Sequence, residues 1–122
     1  MHGKKLHLKL MRIYLDEADK HEHRPLYTAI LDLCRAHRVM GATVFKAAAG
    51  FANSGELHSD RLLRLSIDLP VVVEVVDRED KIAELLPALD EMLAGGGLIT
   101  LESLTAIRYA GHSAGDPAPE GE

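Results

Sequence analysis

Residues 69–77 read Leu69-Pro70-Val71-Val72-Val73-Glu74-Val75-Val76-Asp77. Valine branches at Cβ, which stiffens its side chain and favours extended backbone. The run is nearly continuous where a half-buried strand would alternate, so both faces of this strand are expected to be covered. Pro70 fits the first position, where its missing N–H costs no ladder bond. The fold follows from what lies on either side of this strand.

Downstream, Asp77 has the side chain of an N-cap, and Glu79 and Asp80 place negative charge in the first turn of a helix. Ile82, Leu85, Leu86, Leu89, Met92 and Leu93 then recur at helical spacing. Pro87 lies inside this pattern and cannot donate its backbone bond, which predicts a bend. Gly95-Gly96-Gly97 stops the helix, and Leu98 to Arg108 reads as the last strand.

Upstream, Leu6, Leu8 and Leu10 alternate with His7 and Lys9, the two-residue period of a strand. Met11, Ile13 and Leu15 then change parity, which a bulge or burial on both faces would explain. Asp16 to Arg24 is polar and reads as a loop. Pro25 suits the first turn of a helix, and Leu26, Ile30, Leu33, Cys34 and His37 form one stripe along it. Gly41 ends the connection. Ala42 to Phe51 is predicted as the second strand, although alanine is a weak strand former.

The order is therefore β-α-β-β-α-β. That is the α+β, ferredoxin-like arrangement: a four-stranded antiparallel sheet with two helices on one face. Helices cover one face only, so a sheet apolar on both sides calls for an oligomer. Residues 1–110 make the domain. Residues 111–122, rich in Gly, Pro, Ala and Glu, are expected to be disordered.

Composition sets the bounds. The chain has 122 residues, enough for one domain, with 47% hydrophobic and 4% aromatic residues and no Trp, so its core is aliphatic. A net charge of -5 argues against nucleic acid as a partner. Cys34 is the sole cysteine, which excludes an internal disulfide framework and fits a reducing, cytoplasmic setting. The opening MHGKKLHLKL lacks the apolar stretch of a signal peptide, and no apolar run reaches the ~20 residues that span a bilayer.

Several residues are candidates for chemistry. Glycines at 95–97 leave backbone N–H groups approachable by a phosphate, yet a helix cap and turn need the same residues. Gly41 and Thr43 can line a cleft or simply start a strand. Lys46, Arg61, Arg64 and Arg108 can pair with phosphate oxygens, while solvated surface charge is the usual fate of any one of them. His21 and His23 are spaced like a chelating pair but lack a neighbouring cysteine. Tyr14, Tyr27 and Cys34 read as packing. His58 reads as a solvent-facing loop residue. No nucleophile, base and orienting group stand together on one element, so no catalytic residue is assigned and an enzyme is not expected.

Five stretches carry a resemblance: Met11-Arg12-Ile13-Tyr14, RPLYTAIL (24–31), GATVFKAAAGF (41–51), LHSDRLLRLSIDLPVVVEVVD (57–77) and LLPALDEMLAGGGLITLESL (85–104). On these the chain closely resembles the domain of unknown function 190 family, within the PII-like superfamily, from about Lys9 to Arg108. The resemblance implies a cytoplasmic homotrimer that binds an adenine nucleotide or related anion between subunits. The implied ligand residues are Gly41, Thr43, Lys46, Arg64, Gly95, Gly96, Gly97 and Arg108. It also implies that the loop after the second strand, with Asn53, Ser54, Gly55, Glu56 and His58, signals to a membrane or cytosolic protein target. That polar loop holds few large apolar groups and is expected to be loosely held around 52–60.

The chain departs from signalling PII proteins in three places. Ala52-Asn53-Ser54 has no glutamine for a magnesium site, His58 follows Glu56-Leu57 where a modifiable tyrosine would stand, and Leu98 follows Gly97 where a lysine is expected. These departures point away from magnesium-ATP and from uridylylation. Two other readings compete. One is a metal-binding protein of the copper-tolerance type on the same fold, for which His21 and His23 would need a converging third ligand. The other is a scaffold subunit without a ligand.

Overall fold

The computed structural model describes residues 2–52 and 69–111. Strand β1 spans Gly3–Asp16, and a short ribbon pairs β2 (Lys20–His21) with β3 (Arg24–Pro25). Helix α1 spans Leu26–Ala36 and β4 spans Gly41–Lys46. Then come β5 (Pro70–Asp77), α2 (Glu79–Met92) and β6 (Leu98–Tyr109). The main sheet has the order β4-β5-β1-β6, with every neighbouring pair antiparallel. This is the ferredoxin-like arrangement that the order of elements implied. Arg64 and the loop residues Asn53, Ser54, Gly55, Glu56 and His58 lie outside the described residues, as does the tail from 112.

The valine strand takes a central place, between β4 and β1. Val71, Val73 and Val75 point to the helices and are fully buried, joining Met11, Ile13 and Leu15 of β1. Leu26, Ile30 and Cys34 from α1 and Ile82, Leu85 and Leu89 from α2 complete this core. Each of these aliphatic side chains contributes roughly 1.5–3 kcal/mol on full burial.

The parity change in β1 is settled by register. Lys9↔Asp77 through Asp16↔Pro70 runs without a skipped residue, and so does Gly3↔Tyr109 through Tyr14↔Leu98. There is no bulge in β1; the strand is buried on both faces. Met11, Ile13 and Leu15 serve the helix side, while Leu8 and Leu10 are buried on the other side, at 5% and 7% exposure.

Several boundaries differ from the expectation: Pro25 ends β3 and is the N-cap of α1, and β6 runs one residue further, to Tyr109. The second strand ends at Lys46, not Phe51, because its partner β5 begins at Pro70 and the Ala47 N–H turns to the Pro70 carbonyl at 3.0 Å. Asp77 closes β5 and Arg78 is the N-cap of α2. The Asp77 carboxylate accepts instead from the Met40 N–H (2.9 Å) and the Arg78 N–H (2.6 Å), joining β5 to the connection before β4. Helix α2 continues through Pro87 and stops at Met92, with Leu93 as its C-cap, before the glycines are reached. The expected loop at 16–24 contains the β2–β3 ribbon, whose turn holds Glu22 and His23 in left-handed conformations (φ 50° and 69°). That is a two-residue hairpin geometry usually given to Asn-Gly.

Candidate functional site

The sheet register divides the candidate residues into two groups. Lys46 lies across from Val71, which lies across from Leu15, so this row marks one end of the sheet. The turn before β6 is at the same end: a Cβ on Gly97 would lie 3.5 Å from Leu15 Cδ2 and 3.6 Å from the Tyr14 carbonyl. Three strand spacings, about 14 Å, separate Lys46 from this turn. Gly41, by contrast, shares a row with Val76 and Leu10, about 17 Å along the strands from the Lys46 row. Arg108 pairs with Lys4, a further six residues out along β1 from Leu10, or about 20 Å. Within one chain, antiparallel pairing therefore puts the start of the second strand and the turn before the last strand at opposite ends of the sheet.

At the Lys46 end, the ammonium is 2.8 Å from the Glu17 carboxylate and 5.5 Å from the centre of the Tyr27 ring. The hydrogen bond to Glu17 is the main cause that holds the Lys46 pKa above its ordinary value. Glu17 also donates its backbone N–H to the Leu69 carbonyl at 2.8 Å. Both ends of the segment that leaves β4 and returns to β5 are thus tied to one short piece of chain. Sequence reasoning chose Lys46 but missed Glu17 and read Tyr27 as packing alone. No local spacing signals a pairing across nearly thirty residues.

The glycine turn carries a special backbone. Gly96 has φ 127° and Gly97 has φ 156°, the first well within the region that side chains avoid. The Gly96 N–H donates to the Leu93 carbonyl at 2.9 Å, so that donor serves the turn. A Cβ on Gly95 would meet nothing within 4 Å, which leaves that backbone open to approach.

At the opposite end, Gly41 lines a groove of about 360 Å³ together with Leu31, Cys34, Arg35 and Met40. Thr43 lies across from Glu74 on the sheet face turned away from the helices. That face carries a polar row at its centre. Arg12 donates to Glu74 at 3.0 Å and also pairs with Glu102, and the bond to Glu74 is the main cause raising the Arg12 pKa. Neighbouring carboxylates make this row a poor seat for an anion.

His21 ends β2 and His23 lies within the hairpin turn, and His21 is 4.0 Å from Glu22. Among the described residues no three His, Cys, Asp or Glu side chains converge as a metal site. Among the same residues no helix is long and apolar enough to cross a membrane.

Comparison with solved structures agrees with this architecture. The apo form of CPII from Thiomonas intermedia K12, a nitrogen regulatory PII-like protein, superposes with a TM-score of 0.61 at 19% identity, covering 87% of this chain and 98% of that one. The same protein bound to ADP and bicarbonate gives 0.61 at 21% identity, covering 86% and 93%. At such identity the likeness shows the fold, which is PII-like. Sequence relatives are nearer. A UPF0166 protein of Aquifex aeolicus (strain VF5) is 40% identical over 101 residues, 81% of this chain and 92% of that protein. A UPF0166 protein of Methanocaldococcus jannaschii is 39% identical over 93 residues, 76% and 85%. Residues 8–106 match the family described as DUF190, uncharacterized ACR, and the chain belongs to that family.

Proposed function

We propose that this protein is a non-enzymatic PII-like regulator that binds an adenine nucleotide or related small anion in a trimer. The observation that carries the reading is the placement of Lys46 and the Gly95–Gly97 turn at one sheet end. The segment from 47 to 69, which includes Arg64, leaves and re-enters the sheet there. Lys46, which an anion would have to draw away from Glu17, approachable backbone at Gly95 and a long connection at the end of a rigid sheet are the ingredients of an anion site with a responsive loop. The structures of CPII bound to ADP support the choice of ligand class. Gly41, Thr43 and Arg108 belong to the proposal only through a neighbouring copy, since one chain holds them far from the glycine turn. Asn53, Ser54, Gly55, Glu56 and His58 would present the ligand state to a membrane or cytosolic protein target.

Calorimetry against AMP, ADP, ATP and cyclic AMP tests this directly. One of them should bind and raise the melting temperature, because a ligand that binds only the folded state stabilises it. Gly96→Glu should abolish that binding, since it adds a carboxylate at a positive φ. Lys46→Ala should weaken it. No heat from any of the four would sink the nucleotide reading and leave the scaffold reading in its place.

A further inference from the structure

Strand β6 forms an edge of the sheet: among the described residues it pairs with β1 and with no other strand. It is 12 residues long and unbulged, where the other edge strand, β4, has six. Natural proteins shield such edges with lysine, proline, bulges or short length. Leu98–Tyr109 has none of these, and Glu102 and Arg108 are its only charges. Leu101 and Ile107 are each 49% exposed, and Tyr109 is 63% exposed.

The spacing of these residues is self-complementary. Glu102 and Arg108 stand three positions on either side of Thr105, and Leu101 and Tyr109 stand four on either side. We propose that β6 pairs antiparallel with β6 of a second copy about a twofold axis at Thr105, joining two sheets into one. Glu102 then faces Arg108 of the second copy, Leu101 faces its Tyr109, and Ser103 faces its Ile107. Opposite charges and aliphatic–aromatic pairs directly across a strand pair are favourable, and like charges there are not. Moving the axis to Leu104 sets Glu102 against Ala106 and Arg108 against Thr100, so neither charge meets an opposite charge across the strand pair, although Glu102 keeps Arg12 of its own chain. A one-residue slip turns the two helical layers to opposite faces. The axis at Leu104 would set Leu101 against Ile107 and Ile99 against Tyr109, so apolar pairs form in both registers and the charges decide: only the axis at Thr105 sets Glu102 against Arg108. This contact uses the sheet edge and stands apart from the ligand reading except at Arg108, which cannot face Glu102 of the second copy and a bound anion at once. Combined with a threefold axis that it meets at a right angle, it gives six copies.

Light scattering of the full chain should therefore give an even number of copies; a mass of one or three copies overturns the contact. Thr105 is exposed, so Thr105→Lys should keep the circular dichroism of the fold while halving the mass, because two ammonium groups then meet on the axis. Thr105→Glu should do the same, and an equal mixture of the two variants should recover the original mass. An unchanged mass for both variants would rule out the axis. If the charged variants fail to fold, Thr105→Cys carries the test. Under mild oxidation it should form a covalent dimer, whereas Leu98→Cys, beyond the overlap, should not. Cys34 does not compete, since it is buried and its thiol is pushed up to about 11. No dimer from Thr105→Cys, or equal yields from both cysteines, overturns the register.

Discussion

Asp77 is 4% exposed, and its two carboxylate oxygens accept backbone donors from Met40 and Arg78. A buried donor that loses its acceptor costs about 1–3 kcal/mol. Asp77→Ala should therefore lower the melting temperature by several degrees, measured by differential scanning calorimetry. The same change at exposed Glu79, paired with Lys9 at 3.1 Å, should have a much smaller effect, because exposed ion pairs contribute little. The sequence marks Asp77 as important, since an aspartate between a strand and a helix invites a capping role. Its actual work is to hold the chain before β4, thirty-seven positions away. Local reasoning cannot find that partner, because the pairing depends on β4 lying beside β5.

Between elements, α1 and α2 are joined at their exposed edge by His37, Glu84 and Lys81. His37 Nδ1 is 2.8 Å from the Glu84 carboxylate, and the Lys81 ammonium donates to the His37 carbonyl at 3.1 Å. His37 first, and then the Lys81 charge, hold the Glu84 carboxyl below its ordinary value of 4.5. A carboxyl depressed in the folded state contributes stability above its unfolded value and loses it as pH falls through the folded value. Urea midpoints should thus fall as pH drops below about 4.5, and Glu84→Gln should flatten that acid limb. Identical acid limbs for the two proteins would show that the clasp contributes nothing. His37 was expected on the inner stripe of α1. It sits one residue past the helix as its C-cap, where the ring turns outward to α2.

Across the whole molecule, the two valines at 72 and 73 have different fates. Val73 is fully buried under the helices, and Val72 is half-buried on the opposite face, across from Tyr14 and Phe45. Val73→Asp buries a charge without a partner and should abolish folding. Val72→Asp should leave a folded chain but break an assembly that uses that face, with light scattering as the measurement. If Val72→Asp keeps the mass of the unmodified protein, the trimer does not form through this face. The twofold edge contact would be untouched by that result, since β6 lies two strands away from β5.

Side-chain spacing determined the kind and order of the two helices and the four strands of the main sheet, because it reports which face of a helix or strand is covered, and it missed the short β2–β3 ribbon. The valine run announced a strand buried on both sides, and the stripes of α1 and α2 announced a single helical layer. Tertiary structure decided three other things. It chose two-sided burial over a bulge in β1, since only the register with β5 and β6 distinguishes them. It ended the second strand at Lys46, since a strand lasts only as long as its partner. It also set Gly41 and the Gly95–Gly97 turn at opposite ends of the sheet. A candidate site drawn from motifs assumes that its residues converge, and convergence depends on strand direction, which no local pattern encodes.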